Sequence, residues 1–201
     1  MPLLTLPRLT VANADFVTPR LAVGGDLDYW DTDNANRQLA ELVDAGITHI
    51  VDARFETSDE DFVAEFAPHL AYLHHGMDDA GQLVPGRWFD VGVGFVLDAL
   101  EDPDAVVLTH CHMGINRGPS LGYAVLLALG WDPIDALDAI RSARPIAAIG
   151  YAEDALAWHH DRIDASTCTR RENRRRMAGW RRANDIDVET IIRKIRDTEP
   201  I

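Results

Sequence analysis

Apolar and polar positions alternate along this chain in two rhythms. Short aliphatic runs recur at Leu21 to Val23, Ile47 to Asp52 (ITHIVD) and Ala105 to Thr109 (AVVLT), and Tyr72 to His75 is a further short strand candidate. Runs of this length, rich in β-branched residues and bounded by turn residues, predict buried strands. Between them the period lengthens to that of a helix. Leu39, Leu42 and Val43 share one face of residues 34–45, which Gly46 stops, and Phe89, Val93, Val96, Leu97 and Leu100 share one face of residues 88–100. Thr57-Ser58-Asp59-Glu60 caps a helix that Pro68 ends, and Pro119 sits where a first helical residue belongs, opening a helix to Leu129 before Gly130. Asp132-Pro133 opens the next helix, through Arg144, and one more covers residues 151–163. Residues 1–16 contain two prolines and no clear period, so they read as an irregular arm. Strands alternating with helices predict an α/β fold, with a mainly parallel central sheet of four to five strands flanked by helices. Beyond residue 165 the pattern changes. Arg170 to Arg182 holds seven arginines against one Glu, and an amphipathic piece runs from Asp187 to Asp197. The expected organisation is one domain over 1–165 and an Arg-rich helical extension over 166–201.

Composition and charge sharpen this further. A chain of 201 residues, 47% of them hydrophobic, suits an ordinary globular domain with a substantial core. It has no apolar run of the roughly 18 residues that a bilayer span needs, so no membrane partner is expected. Its opening segment (MPLLTLPRLTVANADF) lacks the basic cluster and small-residue site of a signal peptide, which makes the cytoplasm the expected compartment. Net charge is −14, unevenly placed: residues 1–160 carry eight basic against 25 acidic side chains, and residues 161–201 carry eleven against eight. Such an acidic body repels nucleic acid and anionic surfaces. The two cysteines, Cys111 and Cys168, are too few for a disulfide scaffold or a thiolate zinc cage. A lone Cys is more often an inert small core residue than a nucleophile, so its neighbours decide.

Around Cys111 they do. A predicted strand runs into His110-Cys111-His112-Met113-Gly114-Ile115-Asn116-Arg117, and a helix follows. Five residues separate Cys111 from Arg117, with Gly114 in the middle. This spacing closes a tight loop whose N–H groups can point inward, an anion nest backed by a helix N-terminus and sized for a tetrahedral phosphate. Gly114 permits a backbone conformation that a side chain opposes, and Arg117 can lay its planar fork on phosphate oxygens. In the same field a thiol loses its proton below the free value of about 8.5, which makes Cys111 a nucleophile. His112, Met113, Gly114, Ile115 and Asn116, with Gly118 at the helix start, are the expected phosphate-binding positions. His110 is expected to hold the loop and add positive character.

This run resembles the signature of the protein tyrosine and dual-specificity phosphatase superfamily: His-Cys, five residues with a central Gly, then Arg. Gly46-Ile47-Thr48-His49-Ile50, Tyr72-Leu73 before an acidic turn, and Ala139-Ile140-Arg141 through Arg144-Pro145 are similar to the small dual-specificity catalytic domain, so the likeness covers about residues 15–160. The resemblance implies the phosphatase-type fold and a phosphocysteine intermediate. It also implies an Asp on a loop about 30 residues upstream that protonates the leaving oxygen. Asp78 and Asp79 both lie there; Asp79, 32 residues before Cys111, fits the small dual-specificity spacing better. In most of that family Ser or Thr follows the Arg and stabilises the departing thiolate. Here Gly118 stands in its place, and Ser120, two residues on, is not expected to substitute. The second chemical step is therefore expected to be slow. His110, Asp78 and Ser120 are the expected supports around the site.

No cofactor and no metal are expected. His110, Cys111 and His112 with either His pair, 74–75 or 159–160, offer no second Cys or carboxylate at ligand spacing, although His74 or His75 could line the cleft. Arg141 and Arg144 are expected to pair with the acidic body. The expected partner is a phosphorylated protein or a small phosphoester. Because the loop interior has no Lys or Arg, phosphoinositides fit less well. Two other readings stay open. Asn116-Arg117 is similar to RNA triphosphatases of capping enzymes, with residues 170–182 gripping nucleic acid against the repulsion of the body. Gly118 suits a phosphate-binding module that has lost turnover.

Overall fold

The computed structural model describes residues 6–197; the first five residues of the expected N-terminal arm lie outside them. Five strands form one sheet: β1 (Ala14–Thr18), β2 (Leu21–Gly24), β3 (His49–Arg54), β4 (Ala71–Met77) and β5 (Val107–His110). Their order is β1-β2-β5-β3-β4. Only the β1–β2 hairpin is antiparallel, so the sheet is mainly parallel, as the alternation of elements predicts. The arm is shorter than expected, because Ala14 and Phe16 turn into the core and make β1 the edge strand.

The alternation within each strand decides which helices cover which face. Phe16, Ala22, Ile50 and Leu108 point to one side, where Leu39 and Leu42 of α1 (Thr32–Asp44) and Val63 of α2 (Glu60–Phe66) meet them. Leu21, Val23, Val51 and Val107 point to the other. There they pack with α3 (Gly86–Ala99), α4 (Arg117–Ala128), α5 (Pro133–Ala143), α6 (Ala152–Arg162) and α7 (Thr167–Ala183). Helix α4 is buried from Arg117 to Leu127, which accounts for its apolar character all round. It starts two residues before Pro119, so Pro119 is not the first helical residue. A proline is still tolerated in the first turn, where its missing N–H has no intrahelical partner.

The Arg-rich stretch is folded onto the body. Met177 and Trp180 of α7 belong to the main core. Trp180 Nε1 donates to Asp138 at 2.6 Å, and Arg176 makes a two-pronged pair with Asp132, the N-cap of α5. The last helix, α8 (Val188–Arg196), is capped by Asp187 and buries no residue fully. Among the described residues no helix is long and apolar enough to cross a membrane.

For the site, the level strand ends matter most. In the parallel registers Gly24, His110 and Asp52 are aligned across β2, β5 and β3. The loops that leave these strands therefore gather at one carboxyl edge, where ligands bind in open α/β sheets.

Candidate active site

The central strand β5 ends at His110 and α4 begins at Arg117, so Cys111 to Asn116 form the connecting loop. Four successive carbonyls of this loop are held from outside. That of His112 accepts from Asp26 N at 3.0 Å, and that of Met113 from Arg144 Nη2 at 2.9 Å. The Gly114 carbonyl accepts from Arg144 Nε at 2.6 Å, and that of Ile115 from Ala148 N at 2.7 Å. In a trans peptide the N–H points opposite to the C=O. The N–H groups of Met113, Gly114, Ile115 and Asn116 are thereby turned inward, towards the cleft that Cys111 lines. Asn116, at the N-cap of α4, makes no side-chain cap bond and leaves the helix N-terminus open to an anion.

Gly114 sits at φ +64, and a Cβ there would meet the Gly24 carbonyl carbon, Gly25 N and Arg144 Nη2. Only glycine satisfies both the left-handed conformation and the close approach. Arg144 is almost fully buried and also bonds Asn13 at 2.7 Å and Asp15 at 2.8 Å. The expected pairing with acidic groups is thus one part of its role, and clamping the loop is the other.

Arg117 is 4% exposed. Its two Nη atoms grip Glu56 at 2.6 Å each, and Nη1 also donates to the Met77 carbonyl. Burial works against the guanidinium charge, but Glu56, Cys111 and Asp79 more than offset it and raise its pKa. Glu56 is held down to about 2, chiefly by its bonds to Arg117. The remaining edge of the fork carries Nε, which has no hydrogen-bond partner among the described residues and lies 3.6 Å from Asp79 Oδ2.

Asp79 lines the cleft with Cys111 and Arg117. Its Oδ1 accepts from Asn116 Nδ2 at 2.5 Å and from the Tyr151 hydroxyl at 3.0 Å. Tyr151 is pushed up to about 12, first by burial and then by this carboxylate. Asp78 is placed otherwise: its carbonyl accepts from Gln82, and its side chain does not line the cleft. Of the two acids, Asp79 is the one that lines the cleft with Cys111.

Other expectations change. His110 is fully buried beside Asp52, with Nε2 at 3.8 Å from Oδ1. Burial lowers its pKa in spite of that carboxylate, which works against the expected positive character. The His112 side chain lies 2.8 Å from Asp26, whose backbone N–H also donates to the His112 carbonyl. Met113, Ile115 and Asn116 line the cleft, whereas the Asn116 amide is also a strut between Asp79 and Gly150 N. Gly118 lies behind the loop: a Cβ there would stand 2.8 Å from His110 Cα and 3.0 Å from Cys111 N. Ser120 Oγ accepts from Tyr151 N at 3.2 Å. His74 bonds the Arg54 carbonyl and His75 stacks on Trp88, so neither lines the cleft. Among the described residues no group of three or more His, Cys, Asp or Glu could hold a metal ion.

Sequence reasoning missed Glu56, Tyr151 and the buried cluster beneath the loop. There Arg54 is shared by Asp52, Asp26 and Asp59 at 2.7, 2.9 and 2.9 Å. Burial alone would raise the pKa of Asp52, yet its bonds to Arg54 above all bring it to about 2. A charged residue at the end of a predicted strand was the only available signal.

No protein-family model matches the chain. It is 27% identical over 144 residues to human dual specificity protein phosphatase 13B, covering 68% of this chain and 67% of that protein. To the mouse protein of that name it is 28% identical over 119 residues, 56% of this chain and 58% of the relative. The chain thus spans about three fifths to two thirds of these relatives. Among solved structures, human DUSP28 superposes with a TM-score of 0.59 at 20% identity, over 74% of this chain and 94% of that one. PTPMT1 in complex with PI(5)P superposes with a TM-score of 0.60 at 16% identity, over 77% and 99%. Both structures share this fold.

Proposed function

We propose that the chain is a cysteine-dependent, dual-specificity-like phosphatase that hydrolyses phosphate monoesters, phosphotyrosine foremost and phosphoserine or phosphothreonine second, through a phosphocysteine at Cys111; its likeness to dual specificity phosphatases supports this reading. The carrying observation is the loop whose carbonyls at 112, 113, 114 and 115 are all bound from outside, which presents a row of amides to a tetrahedral anion above the thiol. The Cys111 thiolate attacks phosphorus; the S–P bond forms as the ester P–O bond breaks. Asp79 gives its proton to the leaving oxygen. The inward amides and the Nε edge of Arg117 bind the three equatorial oxygens, where negative charge is spread in the transition state. Water then attacks the phosphocysteine, Asp79 takes its proton, the S–P bond breaks, and inorganic phosphate leaves with the thiolate restored.

Two placements support a slow second half. Gly118 has no room for a hydroxyl-bearing side chain without movement of the His110–Cys111 backbone, and the Ser120 hydroxyl is engaged by Tyr151 N. Rapid mixing is expected to give a burst of leaving group close to one equivalent of enzyme, then slower turnover. A linear trace from the first turnover would remove this part of the proposal.

The deciding experiment is phosphate release from phosphotyrosyl and phosphoseryl peptides, a short-chain phosphoinositide and 5′-triphosphate RNA, with wild type and Cys111→Ser. Release from the phosphotyrosyl peptide is expected, falling more than about 10³-fold in the variant. Equal activity in the variant would sink the reading, and release from RNA alone would favour the triphosphatase alternative.

A further inference from the structure

The loop, Asp79 and the 148–150 segment leave one side of the cleft to a part of the chain far from the Cys111 signature. Val188, Ile192 and Arg196, spaced four apart on one face of α8, line the same cleft of about 490 Å³ as Cys111 and Arg117. We infer that α8 is a substrate-contacting wall. Val188 and Ile192 close with Met113 and Ile115 on the aryl ring of a phosphotyrosyl peptide, and Arg196 binds an acidic side chain next to the phosphotyrosine. This rests on the reading of the Cys111 loop as the phosphate site and deepens it.

Three observations carry the inference. The first is the apolar character of the facing walls. A sugar or inositol ring placed there would set its hydroxyls against Met113, Ile115, Val188 and Ile192, which cannot hydrogen-bond them, and buried hydroxyls without partners are costly. A phenyl ring suits the same walls.

The second concerns charge. Arg117, Arg144 and Arg176 are each paired with a carboxylate, whereas Arg196 makes no ion pair among the described residues while lining the cleft. Helix α8 carries Arg193, Lys194 and Arg196 against Glu189 and its capping Asp187 and Asp197, and of these three cations Arg196 is the one that lines the cleft. A guanidinium at that wall can pair with an acidic side chain of a peptide.

The third is incomplete burial. Val188, Ile191, Ile192 and Ile195 are only half-buried, and α8 has no fully buried residue. An aryl group in the cleft would complete the burial of Val188 and Ile192, a favourable change for both partners.

The test compares two phosphotyrosyl peptides that differ only in a Glu or a Gln beside the phosphotyrosine, with a short-chain phosphoinositide as a third substrate. The proteins are wild type, Arg196→Glu, Arg196→Lys and Cys111→Ser. In Arg196→Glu the KM for the Glu peptide is expected to rise about tenfold more than that for the Gln peptide. Arg196→Lys should keep most of the preference, and raising salt from about 0.05 to 0.5 M should erode it in wild type. Arg196 is exposed, so the melting temperature serves as the folding control. Equal KM changes for both peptides would overturn the α8 assignment, as would a phosphoinositide turned over faster than the Glu peptide. If Cys111→Ser is inactive and Arg196→Glu is indifferent to the flanking Glu, the wall alone is refuted. If Cys111→Ser stays active, the loop reading itself has failed.

Discussion

The loop from Cys111 to Asn116 and helix α8 form walls of one cleft, but they are fixed in opposite ways. The loop is determined many times over. Four carbonyls are tied back, Arg144 is clamped from β1 and the loop at once, Gly114 has no room for a side chain, and Arg117 is locked to Glu56. Each charge-assisted bond of this kind contributes about 1.5–3 kcal/mol. Helix α8 rests on four half-buried aliphatic side chains and its Asp187 cap. Groups that stabilise developing charge must be in place before the reaction, whereas a wall that meets only the periphery of a substrate can yield. Rigidity is concentrated where the proposed chemistry occurs.

The sharpest way to break that contrast lies beneath the loop. Arg54→Ala leaves Asp52, which is fully buried, and Asp26 and Asp59 without their shared cation. A loss of about 3–5 kcal/mol is expected in urea unfolding; a loss under about 1 kcal/mol would mean that the cluster does not support the loop. Its pH dependence has a definite sign. Asp52 is depressed to about 2 from an ordinary value near 4. Its contribution, on the order of 2 kcal/mol, is present above pH 4 and disappears as pH falls towards 2. Asp52→Asn should flatten that acid limb.

Gly114→Ala tests the loop itself. A methyl group at φ +64 against Gly24 and Arg144 should lower kcat/KM for a phosphotyrosyl peptide more than about 100-fold. A well-folded variant with near-normal activity would show that the loop tolerates displacement. A smaller effect is expected from Glu56→Gln, which keeps a hydrogen bond to Arg117 and removes the charge. Glu56 is half exposed, so solvent screening limits the loss to about tenfold in kcat/KM.

On the other wall the expected effects are smallest. Ile192→Asp should lower unfolding free energy by about 1 kcal/mol, since the side chain is only half-buried. It should nevertheless raise KM for a phosphotyrosyl peptide several-fold. A large stability loss would mean that α8 belongs to the core and would erase the comparison.

Much of this was legible in the chain before any coordinates. The spacing of Cys111, Gly114 and Arg117 after a β-branched run encodes a strand, a nest and a helix start, because each is local: a few residues fix the backbone, and the backbone fixes the amides. The alternation at Leu21 to Val23, Ile47 to Asp52 and Ala105 to Thr109 predicted the parallel sheet for the same reason. Strand β1 escaped because its five residues follow a proline-containing segment and pair only at the sheet edge.

The tertiary structure decided the rest. Glu56 reaches Arg117 across 61 residues, Tyr151 reaches Asp79 across 72, and Arg144 reaches Asn13 across 131; no local pattern encodes such pairs. The pKa of His110 is lowered by burial that only packing creates. Asp79 rather than Asp78 lines the cleft, held there by Asn116 and Tyr151. The sequence by itself determined the strand, loop and helix start on which the proposed chemistry rests, since these are written in consecutive residues. Which partners hold that nest, and which distant helix completes its cleft, depended on long-range packing, where the chain's own order no longer constrains what meets.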